Sequence, residues 1–350
     1  MSDRSFSPDS GISIGRFAVP NDPVVIGLVN NMPDGALVAT ERRFAALLIP
    51  EIAQAPVSAA QARAVTLRIF AIPQLPRGDY GRRVVEERYE PIDALWQAKL
   101  DGLIVTGMEP RAPDFEDELY WPIFENLVDW ADEHTHSTIW SCLAAHAAAY
   151  HLDGIRRQAV GGKLSGVFEC AVRERHEVLA HCPSRWLVPH SRHYGLPEEV
   201  LLARGYRVLT ASPVVGPDIF VKKTKALHVF QQGHLEYDGV ALALEYRRDV
   251  KRYLRGERDS YPEIPCGTFD RETDAALCAF RERATRERSM ELIADVPASG
   301  LAHAHETPWQ RIAQQVYRDW IAYLAERKLA THSDAEFAAD TDSRPQLASA

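Results

Sequence analysis

Along the chain, short runs of apolar and β-branched residues alternate with stretches whose apolar positions recur at helical spacing. VVIGLV (24–29) precedes a helical stretch at 36–48, VTLRIFAI (65–72) precedes 90–99, LIVT (103–106) precedes 120–134, and 138–141 precedes 143–151. Strands apolar on both faces, each followed by a helix, are the signature of a parallel sheet covered by helices, so this half of the chain reads as α/β. From about 160 the strand signals follow one another without helices, at 166–173, 185–189, 206–211, 218–222 and 226–230. That pattern predicts antiparallel hairpins at the edge of a mixed sheet. A helical stretch at 238–255 comes next. After Thr307-Pro308, the segment 309–328 puts Ile312, Val316, Trp320, Tyr323 and Leu324 on one face, which predicts a helix packed back onto the domain. Residues 1–22 and 329–350 are polar and read as flexible ends. The span 23–328 reads as one domain, with 270–305 as an added helix and connector.

Composition narrows the function classes. A length of 350 residues accommodates two domains of about 150 or one large α/β unit with additions, and the pattern favours the latter. Forty basic against 49 acidic residues, a net charge of −9, lacks the positive footprint of a sequence-independent nucleic-acid binder. No apolar run approaches the ~18 residues of a spanning helix and the first residues lack a signal-peptide core, so a cytoplasmic protein without membrane or nucleic-acid partners is expected. Five cysteines, odd in number and without a CxxC pair, suggest neither a disulfide framework nor a zinc knuckle and leave at least one free thiol. His134-Thr135-His136 and His303-Ala304-His305 read as loop histidines, and no metal is expected.

Two segments carry candidate chemistry. In Trp140-Ser141-Cys142-Leu143-Ala144-Ala145-His146 a strand runs directly into a helix. Cys142 then sits at the carboxyl end of a strand and at a helix N-terminus, whose free N–H groups favour a thiolate. Against an elbow, the glycines usual two residues either side of such a nucleophile are replaced by Trp140 and Ala144. The second segment, Phe230 to Asp238, lies between a strand and a helix and contains Gly233-His234-Leu235-Glu236. A carboxylate two residues from a histidine on extended backbone can fix the imidazole tautomer while the other nitrogen addresses a nucleophile.

The order of elements, the elbow cysteine and the late Gly-His-x-Glu resemble the class I glutamine amidotransferase fold, and more closely the homoserine O-succinyltransferase family. The matching strings are Leu28 to Pro33 with Thr40-Glu41, Asp101 to Gly107, Tyr120-Trp121-Pro122, Cys142, Lys163 to Val167, Pro189-His190-Ser191-Arg192, Gly233 to Asp238, Arg248-Asp249 and Thr307-Pro308-Trp309. The resemblance implies a flavodoxin-like, mostly parallel sheet with helices on both faces, antiparallel edge strands and C-terminal helices. It implies that Cys142 accepts the acyl group, His234 is the base and Glu236 its partner, and that Lys163, Ser191 and Arg248 lie in the substrate site. It further implies an acyl-CoA co-substrate rather than a permanently bound cofactor, a homoserine acceptor, a place in methionine biosynthesis and a homodimer. The Leu143 N–H is the expected oxyanion donor, with its companion unidentified.

One departure bears on the donor. Family members resemble one another in having Gly at the position of Arg111 when succinyl-CoA is used and Glu when acetyl-CoA is used. An arginine there is suited to pair with the distal carboxylate of a succinyl group, and is equally able to fill the space or turn outward to CoA phosphates. The expectation is a preference for succinyl over acetyl donors. Serine or another hydroxy amino acid stands as an alternative acceptor, since one methylene discriminates by only about 1–3 kcal/mol. A glutaminase subunit or a non-catalytic module on the same fold are the competing classes.

Overall fold

Why the elements form where they do follows from which faces they bury. In the computed structural model, which describes residues 12–13, 23–49, 65–297 and 307–342, four strand–helix units make up the first half of the fold. These are β2 (Val24–Val29) with α1 (Leu37–Leu48), β3 (Val65–Phe70) with α2 (Asp79–Arg88) and the short α3 (Ile92–Leu95), β4 (Gly102–Val105) with α4 (Trp121–His134), and β5 (Ser137–Ser141) with α5 (Leu143–Asp153). The helix expected over 90–99 is mostly absent. Its place is taken by α2, where only Gly81 and Val84 are buried, too thin an apolar stripe to register as periodicity. The expected flexible N-terminus lies outside the described residues apart from Ile12–Ser13, which form β1 against β3.

Strand signals after 160 divide in a way the pattern did not predict. β12 (Leu227–Gln231) runs parallel to β5, inside the large sheet, while β11 (Ile219–Lys223) and β8 (Arg207–Val208) add antiparallel edge strands. A separate antiparallel sheet is built from β6 (Gln158–Val172), β7 (Arg185–Gly195), β9 (Thr210–Ser212) and β10 (Gly216–Pro217). Nor is the region free of helix, because α6 (Glu198–Ala203) interrupts it. Apolar runs of similar length and composition look alike whichever sheet accepts them, so their partners were not readable.

The large sheet has the order β1-β3-β2-β4-β5-β12-β11-β8. Its five parallel strands, taken in chain order, follow the 2-1-3-4-5 arrangement of flavodoxin-like folds. One face packs against residues of α1, α2 and α9 (Gln310–Asp342), the other against α3, α4 and α5. α7 (Ala241–Leu254) and α8 (Arg271–Glu287) form a smaller core of their own around Tyr246, Val250, Leu277 and Phe280. α9 continues past residue 328 to Asp342, so the tail expected from 329 is helical that far. Residues 343–350 and the connector at 298–306 lie outside the described residues.

α9 docks as its stripe predicted. Trp320 is buried and its indole N–H donates to Ser137 Oγ at 2.9 Å. Gly102 makes this approach possible, since a Cβ there would lie 2.5 Å from Leu324 and 2.9 Å from Trp320. Replacing Trp320 by Ala should cost about 3–5 kcal/mol, the range for emptying a fully buried aromatic site. Urea unfolding midpoints measure it, and a loss under 1 kcal/mol would show that α9 is not part of the core.

Candidate active site

The elbow is built by backbone strain. Cys142 ends β5 and precedes α5 with φ 53° and ψ −114°, a left-handed conformation of the kind that costs a non-glycine residue about 1–3 kcal/mol. Its N–H donates to the Gln231 carbonyl at 2.7 Å, tying the elbow to the end of β12. The absent glycines are compensated. Trp140 points into the core and donates from Nε1 to His228 Nδ1 at 3.0 Å, and His228 Nε2 meets Asp132 at 3.1 Å, so the bulky neighbour is anchored away from the thiol. Gly107, at the end of β4, supplies the room. A Cβ there would stand 3.2 Å from the Leu143 nitrogen and 3.5 Å from Cys142 Cβ, so glycine keeps the space before the Leu143 N–H open.

His234 follows β12, the next strand over. Its backbone N–H donates to Pro189 O at 2.7 Å, its ring stacks on Tyr237 at 4.1 Å, and its Nδ1–H donates to Glu236 Oε1 at 2.8 Å. Burial opposes its charge, yet the Cys142 and Glu236 charges outweigh burial and hold it well above its ordinary value. Cys142, His234 and Glu236 therefore form one unit, with Cys142 partly exposed and the other two buried. The loop beneath is a buried polar frame that the sequence did not reveal. Asp218 Oδ1 accepts from the Gly233 N–H at 3.1 Å and lies 3.5 Å from His190 Nε2, while the Arg192 Nε–H points at His190 Nδ1 at 3.5 Å. Cys170, His190 and Asp218 bring ligand-type atoms within 4.8 Å of one another, but any cation among them would face the Arg192 guanidinium.

Lys163 on β6, Ser191 on β7 and Arg248 on α7 are brought together. The residue that joins them is Glu245, which the sequence reading missed. Its carboxylate accepts from Ser191 Oγ and Tyr237 OH, lies 3.3 Å from Lys163 Nζ, and sits 3.9 Å from Arg248. Lys163 also bonds Asp249 at 2.7 Å, and Arg248 reaches Asp249 at 2.9 Å. Burial pushes the Glu245 and Asp249 carboxyls up, but the neighbouring cations win and hold both below the carboxylate range. His234 is among the charges acting on Glu245, which places this cluster beside the imidazole. The available signal was helical spacing, since 245, 248 and 249 share one face of α7.

Arg111 is exposed, and its backbone N–H donates to the buried Glu118 at 2.6 Å. It does not join the other site residues, but lines a groove of about 510 Å³ over the ends of β2, β3 and β4. Of the histidine pairs, His134 closes α4 rather than lying in a loop and stacks on Trp130 at 5.1 Å. His136 is half-buried beside Asp101, and His303 and His305 fall outside the described residues. Among the described residues no helix is long and apolar enough to cross a membrane.

The family model of homoserine O-succinyltransferase matches residues 20–330. The chain belongs to the homoserine O-succinyltransferase family. A homoserine O-succinyltransferase of Methylorubrum extorquens is 44% identical over 90% of this chain and 92% of its own length, and one of Rhodopseudomonas palustris is 44% identical over 86% and 88%. That of Thiothrix nivea is 37% identical over 85% and 81%. Solved structures similar to it include a glutamine amidotransferase of Thermotoga maritima (13% identity, TM-score 0.46, covering 88% of this chain and 98% of that one). Another is that of Methylobacillus flagellatus (14%, TM-score 0.48, 86% and 94%). As a member of this family the protein is an acyltransferase.

Proposed function

We propose that the protein transfers a succinyl group from succinyl-CoA to the hydroxyl of homoserine, a step of methionine biosynthesis, through an acyl-enzyme on Cys142. The carrying observation is the strained strand-to-helix elbow at Cys142, whose charge acts on a buried His234 that is itself hydrogen-bonded to Glu236. In the first half-reaction Cys142 Sγ attacks the thioester carbonyl, the oxyanion is met by the Leu143 N–H, and the carbon–sulfur bond to CoA breaks as His234 protonates the departing sulfur. One thioester replaces another, so the intermediate costs little. Acylation removes the Cys142 charge that raised the His234 proton affinity, so the imidazole that has given its proton to CoA stays neutral and free to accept the homoserine hydroxyl proton. The alkoxide oxygen then bonds to the acyl carbon and Cys142 leaves.

The acceptor is a zwitterion, and the cluster beside His234 offers both signs. Arg248, which is 46% exposed, and Lys163 suit its carboxylate, and Glu245 suits its ammonium group. At the other side Arg111 suits the distal carboxylate of the donor. Initial rates with succinyl-CoA and acetyl-CoA test this. The wild type is expected to favour succinyl-CoA, and Arg111→Gly to lower that preference about fivefold, the equivalent of roughly 1 kcal/mol, the upper end for an exposed ion pair. Acetyl-CoA as the better donor, with the ratio unchanged in the variant, would refute the pairing.

A further inference from the structure

Cys142 divides the carboxyl edge of the sheet into two unequal halves. On the β12 side stand His234 and the Lys163, Ser191, Glu245 and Arg248 cluster, a compact site with charges for an amino acid. On the other side, over β4, β2 and β3, lies the groove bordered by Arg111, and beyond the acyl carboxylate met by Arg111 the rest of its walls has no assigned occupant. Its walls are the loops that follow three neighbouring strands: Asn31–Gly35 after β2, Leu75–Gly78 after β3, and Glu109 with Arg111 after β4. With strands about 4.8 Å apart, it extends sideways from the elbow over three strand positions. The order reverses between β2 and β4, and ligands of open α/β sheets lie at such a switch point.

The groove is built rather than incidental. Arg77, with its side chain 7% exposed, ties two of its walls together by donating to Met32 O at 3.0 Å and pairing with Asp34 at 3.4 Å, while Asp34 accepts from the Gly78 N–H at 2.8 Å. Arg77 Nε is buried and has no hydrogen-bond partner. Asn31, at the inner end, is fixed by donating its N–H to Thr106 Oγ1 at 2.8 Å, and the next residue, Gly107, borders Cys142 and the Leu143 N–H. At about 510 Å³ the space is in the range of small-molecule and cofactor sites. It is of mixed polarity, and its β4 wall, Glu109 and Arg111, follows Gly107, the residue that borders Cys142.

The geometry points to this groove as the seat of the donor's carrier: the pantetheine arm of acyl-CoA lies over β4, β2 and β3, with its thioester delivered past Gly107 to Cys142. This rests on the acyl-CoA reading above and adds where the carrier binds. The acceptor then enters from the opposite side, so both substrates reach one sulfur without crossing.

Gly35 provides the test, because its Cβ direction is open and nothing lies within 4 Å of it. Gly35→Trp would fill the groove at a position remote from the reacting atoms. Two donors are compared, succinyl-CoA and the succinyl thioester of N-acetylcysteamine, which carries the same acyl group on a truncated arm. The variant is expected to lower kcat/KM for succinyl-CoA at least tenfold relative to that for the truncated thioester, whose continued turnover also reports that the variant is folded. An unchanged ratio would overturn the carrier groove while leaving the proposed function standing. A wild type that acylates homoserine from neither donor would overturn the proposed function, and the groove's occupant with it.

Discussion

Cys142→Ala is expected to abolish acyl transfer, lowering kcat/KM for homoserine acylation by at least about 10⁴-fold. Removing a covalent nucleophile takes away the route itself, and residual rates come only from binding and the oxyanion donor. The alternative is that Cys142 is a small core residue. Its partial exposure and strained φ of 53° argue against that, since strain of this kind persists where function requires it. The substitution keeps the strained conformation and deletes one sulfur, so stability should change by less than about 1 kcal/mol. Steady-state assays on a variant whose urea midpoint matches the wild type separate the two readings. A fall in activity below tenfold with intact folding would remove Cys142 from the chemistry.

His234→Ala should lower kcat by about 10³-fold, the scale of losing a general acid–base group that serves both half-reactions. Its charge state gives the prediction a second readout. Burial alone would discharge the ring, and the Cys142 and Glu236 charges overcome it, so the imidazole holds its proton. Without the ring, alkylation of Cys142 by iodoacetamide at pH 7 should slow at least tenfold. Glu236→Gln should act in the same direction and less strongly, because the ring loses a neighbouring charge but keeps a hydrogen-bond acceptor. The sign for stability follows from the raised proton affinity. The favourable charge interactions of His234 are fully present below its unfolded value near 6.5 and are lost as pH rises through the higher folded value. Wild type minus His234→Ala stability should therefore fall with pH on the alkaline side of 6.5, and a flat difference would contradict the paired state.

Much of the candidate site was legible because it lies at the ends of elements. A strand running straight into a helix exposes its junction residue, which singled out Cys142. The extended Gly233–Glu236 segment after a strand likewise pointed to His234 and Glu236. Lys163, Ser191 and Arg248 came through family resemblance, and the fold unites them around a residue neither route named. Glu245 lies on an amphipathic helix rich in charge, where a functional carboxylate looks like a solvated one until the β6–β7 hairpin covers it. The second sheet escaped for another reason: whether an apolar run pairs within the main sheet or outside it depends on distant segments. The groove escaped too, because loops from three strands form it and Arg77, from one of them, ties backbone carbonyls of another.

The central claim is a covalent acyl group on one sulfur. Intact mass spectrometry of the protein after brief mixing with succinyl-CoA, without homoserine, tests it most directly. A mass increase of one succinyl group is expected, mapping to Cys142, cleared by adding homoserine and absent from Cys142→Ala. A wild-type mass unchanged under conditions where homoserine is acylated, or an adduct that survives in Cys142→Ala, would contradict it.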